Sequence, residues 1–331
     1  MELSSARELK KLVTKSVVQP FVASAVTRRV LSFAAQPIEE LEGSHRTFAL
    51  GIAQKSERDY RLAVRVQRHE LRDSSEVARI HEMARGEVDV RYVGRIVKQV
   101  PWYQSRERPL KIGLSIAHYL VTAGTLGAFV RRKSAESVLV LSNNHVLANE
   151  NKAKKGDAVV QPGPFDKGKK GKDSVARLEE FVPLKSTGSN VVDAAVARLT
   201  DKLDYDPRDL QSLGRLAGVG EEITSIGGAV AKIGRTTGLR LGRVTAFEVD
   251  NLVVTYGIGN LRFDNQIEIE GADTLSFSEG GDSGSLIVDD AQRAVALLFA
   301  GGDHGGSNGR GLTYATPIDR VLTILTVNMV S

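Results

Sequence analysis

The chain has 331 residues, 41% of them hydrophobic and 26% charged, which is enough for two domains with a buried core and excludes a disordered or fibrous protein. Its 45 basic residues against 40 acidic ones leave a formal charge of +5, and aromatics make up only 5%, so a solvated surface is expected rather than a nucleic-acid footprint. There is no cysteine, which excludes disulfides, thiolate metal sites and a cysteine nucleophile.

The opening SSARELKKLVTKSVV has the spacing of a short amphipathic helix that stops near Pro20. Gln19, Pro20 and Ser24 interrupt the apolar run VVQPFVASAV, which is a poor signal peptide and too short to cross a bilayer. A cytoplasmic protein without a membrane partner is therefore expected, with residues 1–45 as an N-terminal helical segment. From Phe48 the runs FALGIAQ and RLAVRVQR alternate as strands do, with SERD between them for a turn. Asp73 then reads as a helix N-cap with Glu76 three residues on, Val77, Ile80 and Met83 on one face and Gly86 at the end, before a further strand in VDVRYVG. The order strand, strand, helix, strand predicts a small α/β module over 46–104. VPWYQSRERPLK, residues 100–111, mixes proline and charge without a period and reads as a linker.

From residue 112 the chain consists of short apolar runs, among them SVLVLSNNHV, NVVDAAVARL, NLVVTYGI, SGSLIV and AVALLFAGG, separated by glycine-rich turns. So many short strands predict an all-β sandwich or barrel, closed by a helix after Pro317. Three residues in this region bear on chemistry. His145 ends a strand-like run, a position where one histidine alone reads as structural. Asp193 sits in an otherwise apolar stretch, and a buried carboxylate is costly unless a donor satisfies it. Ser283 lies in FSEGGDSGSLIV, whose Gly, Asp and Ser taken alone describe a turn. Read together, His145, Asp193 and Ser283 follow the chain order of the chymotrypsin-like triad and not that of subtilisins or α/β-hydrolases.

SNNHVLA resembles the histidine motif of the trypsin-like and high-temperature-requirement serine proteases, VDAAVARL their aspartate strand and GGDSGSLIV their nucleophile turn. GTLGAFV, LLFAGG and TYATPIDRVL are similar to that family's first strand, substrate-pairing strand and final strand with helix. The resemblance spans 112–331 and implies an all-β double barrel of the chymotrypsin type, preceded by the small α/β module. It implies a serine endopeptidase that cleaves a polypeptide through an acyl-enzyme at Ser283, with His145 as base and Asp193 fixing its tautomer. The turn Gly281, Asp282, Ser283 would form the oxyanion hole through the N–H groups of Gly281 and Ser283. Counting back from the serine puts Phe277 at the base of the specificity pocket with Ser278 beside it, and Phe299, Ala300 and Gly301 on the opposite wall. A small or medium apolar residue is then expected before the scissile bond. No cofactor and no metal are implied. The alternative is a protease-like scaffold that acts mainly by binding and stays inactive until a partner engages the N-terminal module. Lys111 is read as the start of the first barrel strand, rather than as a cleavage point that frees Ile112 to pair with Asp282.

Other motifs carry less. GPFDKGKK, from Gly163 to Lys170, has the frame of a phosphate loop but lacks its Ser or Thr and reads as a basic surface loop. HELRD and HEMAR lack a second histidine at zinc-binding spacing, so His69 and His81 read as surface residues.

Overall fold

The computed structural model describes residues 1–20, 48–94, 100–133 and 135–330. The chain forms two compact units, Met1–Gln99 and Val100–Ser331.

In the first unit, the helix Leu3–Val13 runs on through a wider turn at Thr14–Val18. The strands Phe48–Ser56 and Asp59–Val66 form the expected antiparallel hairpin, and Val88–Tyr92 joins the second strand in parallel. A parallel pairing needs a crossover, supplied here by the helix Ser75–Met83. That helix is capped one residue later than expected, by the Ser74 side chain accepting from Val77 N, because Asp73 completes the short turn His69–Asp73. Val13 and Val17 share one core with Phe48, Leu62, Val64, Ile80 and Val88. The opening helix therefore packs as part of the α/β unit rather than as a separate segment, while residues 21–45 lie outside the described residues. His69 and His81 are exposed.

The second unit begins at residue 100, because the stretch expected to be a linker is tied to it. Gln104 Nε2 donates to Arg235 O at 3.0 Å, Gln161 Nε2 donates to Ser105 O at 2.8 Å, and Leu110–Lys111 pairs in parallel with Tyr205–Asp206. Proline and charge abolish periodicity there, but the charges are used: Arg106 meets Asp173 at 3.3 Å. Two β structures follow. One is an eight-stranded antiparallel sheet that includes Ser115–His118, Ala128–Arg131, Val138–Ser142, Ser174–Phe181 and Ala195–Leu199. The other is a closed barrel of six strands: Ala229–Gly234, Gly238–Val249, Gln266–Gly271, Leu286–Asp289, Ala294–Gly301 and Thr313–Pro317. This is the double-barrel architecture of the chymotrypsin type, with the second barrel closed and the first an open ladder. The helix Ile318–Leu325 follows Pro317 as expected.

Strand alternation explains how the two halves join. Ile287 and Leu298 fill the closed barrel with Val230, Val244 and Ile269, while Leu286, Val288 and Leu297 join the larger core with Phe129, Leu141 and Val196. Strands buried on both faces read as continuous apolar runs, as SVLVL and SLIV do. NLVVTYGI, expected in the barrel, instead forms a separate hairpin, Leu252–Tyr256 with Gly259–Phe263, which pairs in parallel with Ser189–Asn190.

Candidate active site

Each candidate residue sits where a strand ends at the junction of the halves. His145 lies on the helical turn Asn144–Leu147, directly after the strand Val138–Ser142. Asp193 is not inside a strand but two residues before Ala195–Leu199, and Ser283 precedes Leu286–Asp289. The nucleophile turn is bound to the first half: Thr125 N donates to Ser283 O at 2.8 Å, and Thr125 Oγ1 to Gly281 O at 3.1 Å. Gly284 has φ +90°, and a Cβ there would stand 2.1 Å from Ser142 Oγ and 2.4 Å from Thr125 O. Only glycine allows the two halves to close this far at the serine.

Asp193 is fully buried, and its carboxylate is satisfied on every side. Oδ1 accepts from Asn144 N at 2.6 Å and His145 N at 3.3 Å, and Oδ2 is 2.5 Å from His145 Nδ1. Oδ2 also accepts from Tyr256 Oη at 2.7 Å, and burial together with the charge of Asp193 raises the Tyr256 pKa well above its ordinary value, so the phenol keeps its proton. The imidazole is thus held through Nδ1, with its side chain 21% exposed. The Ser283 hydroxyl is 3.5 Å from Phe299 O, with no hydrogen bond to His145.

Gly281 has φ +98°, a conformation glycine adopts freely. Neither Gly281 N nor Ser283 N donates to another described residue, whereas Asp282 N donates to Glu279 O at 3.0 Å. Two amides of the turn are therefore free, and that of Asp282 is engaged in shaping it. The Asp282 side chain is buried and turned away from the cleft. It takes Lys232 Nζ at 2.9 Å, Thr236 N at 2.8 Å, Thr237 N at 3.1 Å, Thr237 Oγ1 at 2.7 Å and Glu279 N at 3.0 Å. Burial lowers the Lys232 pKa although Asp282 opposes the shift. Lys232 occupies the place offered to a freed Ile112, which is buried in the core beyond Lys111.

A cleft of about 570 Å³ adjoins Ser283, lined by Ser276, Ser278, Leu298, Ala300, Gly301 and Arg310, with Glu279 and Asp303 at its sides. Phe277 is not among these residues: it is 1% exposed, in the barrel core with Val230, Val244 and Ile269. Phe277 stands at a bend in the loop between Gln266–Gly271 and Leu286–Asp289, where Ser276 and Ser278 on either side line the cleft while the phenyl ring lies in the core. Phe299 is likewise buried, against Leu261 and Phe263, and offers the site only its backbone. The apolar slot expected from Phe277 is replaced by a polar one, in which Ser278 Oγ hydrogen-bonds Thr313 Oγ1 at 2.7 Å. Beyond Leu298, Phe299–Gly301 have no strand partner on the Ser283 side among the described residues.

GPFDKGKK contributes structure: Asp166 is paired with Arg235 at 2.5 Å and accepts from Ser115 Oγ at 2.6 Å. Among the described residues no group of three or more His, Asp or Glu side chains is placed to hold a metal ion, and no helix is long and apolar enough to cross a membrane. Tyr256 and Lys232 are the site residues that motif reasoning missed.

The second unit is thus a chymotrypsin-type double barrel with His145, Asp193 and Ser283 at its junction. No protein-family model and no curated protein sequence matches the chain. Among solved structures, it is similar to Protease A of Thermobifida fusca at 18% identity, with a TM-score of 0.46, over 67% of this chain and 98% of that one. It is similar to the Nocardiopsis protease NAPase at 17% identity and a TM-score of 0.46, over 67% and 99% of the two chains. An α-lytic protease homologue, N4, shares 20% identity at a TM-score of 0.46, over 66% and 98%.

Proposed function

We propose that the second unit is a serine endopeptidase. The observation that carries this reading is the buried Asp193 bound to His145 Nδ1 at 2.5 Å, at the same junction as a serine whose turn leaves two amides free. Ser283 Oγ attacks the peptide carbonyl as His145 Nε2 takes its proton. The developing oxyanion accepts from Gly281 N and Ser283 N, and His145 then protonates the departing amine. Water activated by the same imidazole hydrolyses the acyl-enzyme. The reaction requires the Ser283 hydroxyl to leave the Phe299 carbonyl for Nε2, and hydrogen bonds at unliganded catalytic sites commonly tighten only in the complex. An extended substrate pairs with the free edge of Phe299–Gly301. Its side chain before the scissile bond enters the cleft floored by Ser278, which favours short hydrogen-bonding residues such as Ser, Thr, Asn or Gln over aromatic ones.

The orientation of the Ser283 hydroxyl favours a second reading, a protease-like scaffold that becomes competent only when a partner binds. A fluorophosphonate probe separates the two. Labelling of the isolated wild-type chain, lost in Ser283→Ala at an unchanged unfolding midpoint, supports the enzyme; a folded chain that stays unlabelled until a partner is added supports the scaffold.

A further inference from the structure

We infer that Tyr256 is a positioning residue of the His145–Asp193 pair, brought to the site by a hairpin that belongs to neither half of the double barrel. The inference rests on the peptidase reading above. Of the groups that donate to the Asp193 carboxylate, Asn144 N, His145 N and His145 Nδ1 come from the histidine turn itself, and Tyr256 Oη is the donor supplied from elsewhere. It binds Oδ2, the same oxygen that holds the imidazole.

The hairpin is fastened on both sides of the pair. Ahead of Asp193, Ser189–Asn190 pairs with Arg262–Phe263, Asn190 Nδ2 donates to Arg262 O at 3.1 Å, and Asp264 N donates to Asn190 O at 2.9 Å. Beyond His145, the hairpin tip Gly257 N donates to Glu150 Oε1 at 3.0 Å. The Tyr256 ring meets His145 edge-on with centroids 5.7 Å apart and stacks on Phe263 at 6.0 Å, which in turn lies 4.7 Å from Phe299. Phe299 bears the carbonyl that the Ser283 hydroxyl contacts. One aromatic row therefore runs from the aspartate's second donor to the strand beside the nucleophile, and the phenol has little freedom to swing away.

A donor on Oδ2 does two things. It fixes the carboxylate plane, and so the imidazole it holds. It also draws off part of the charge that would otherwise stabilise the imidazolium alone. Among the described residues, the charge of Glu150, from the loop after the histidine turn, also acts on the phenol, and Glu150 is itself paired with Lys152 at 3.6 Å.

Tyr256→Phe in the full chain keeps the ring and its stacking and deletes only the hydroxyl. A hydrogen bond to a charged group corresponds to roughly a tenfold or larger change, so kcat should fall by about ten- to a hundredfold with KM nearly unchanged. The acid limb of kcat/KM should move to higher pH, because an unshared Asp193 charge holds the imidazolium more firmly. A merely structural role would lower the unfolding midpoint without moving that limb. The second measurement needs no turnover: in Ser283→Ala, the low-field proton resonance of His145 Nδ1–H should change when Tyr256→Phe is added. If the resonance changes but the wild type never shows Ser283-dependent turnover, the positioning role stands and the peptidase reading fails. An unchanged resonance, or unchanged kcat and acid limb in an active enzyme, overturns the role of Tyr256.

Discussion

Lys232→Met tests whether the serine turn is held by a buried charge pair. Lys232 and Asp282 are both 0% exposed, with Nζ and carboxylate 2.9 Å apart. Methionine matches the lysine stem in the barrel interior but leaves the carboxylate without its cation. Breaking a buried pair by removing one partner typically costs about 3–5 kcal/mol. Thr236 N, Thr237 N, Thr237 Oγ1 and Glu279 N remain as neutral donors to Asp282, which places the effect near the lower end, at about 3 kcal/mol. At roughly 2–4 °C per kcal/mol for a unit of this size, calorimetry of the full chain should show the second unit melting about 6–12 °C lower. Turnover should fall further than stability alone explains, since Asp282 lies between the two amides assigned to the oxyanion. Lys155→Met is the control: its pair with Glu179 at 3.0 Å is 73% exposed on the lysine side, and such pairs contribute little. A melting point for Lys232→Met no lower than that of the control would refute the pair's role in anchoring the turn.

Gly281→Ala places a Cβ 2.5 Å from Thr236 Oγ1 at φ +98°, so the turn must shift; turnover should drop by about 100- to 1,000-fold, and near-normal kcat in a folded protein would remove Gly281 N from the oxyanion hole. Phe277→Ala opens a cavity in the barrel core and should cost about 3–5 kcal/mol while leaving cleavage preference unaltered; a changed profile against a peptide library would return the ring to the specificity pocket. His118, 1% exposed and 3.3 Å from Asp157, has its pKa lowered by burial, so the unfolded chain takes up the proton first and stability is lost as pH falls below about 6.5. His118→Gln should flatten the fall in melting temperature below that pH, and a slope identical to wild type would show that another group governs it.

The fold and the three residues proposed as a triad are legible in the sequence because each leaves a local irregularity. Asp193 interrupts an apolar run, and Ser283 sits among glycines whose backbone the turn needs, so short windows carry the signal. The pocket was misjudged for a physical reason just as local. Counting back from Ser283 reaches the segment that lines the cleft, but this segment is an irregular loop with a bend at Phe277, so a residue count cannot tell which side chain faces in, and the ring is buried while Ser276 and Ser278 line the cleft. Lys232 was readable by the argument applied to Asp193: it shares the inward face of AVAKIG with Val230, and a charge in an apolar phase requires a partner.

Tyr256 left no such mark, and the reason concerns where catalytic precision is built. Its strand, Leu252–Tyr256, alternates half-buried and exposed positions as any surface hairpin does, and tyrosine is an ordinary strand residue. What turns it toward Asp193 is a two-residue parallel pairing, Ser189↔Arg262 and Asn190↔Phe263, joining segments far apart in the chain. Nothing in either segment encodes the other. Residues that perform chemistry must be of particular types and so stand out, whereas a residue that orients them needs only a donor in the right place, which many folds of the backbone could supply from many residue types. On the role proposed for Tyr256, the side chain hardest to read from sequence is therefore one that fixes the geometry of those easiest to read.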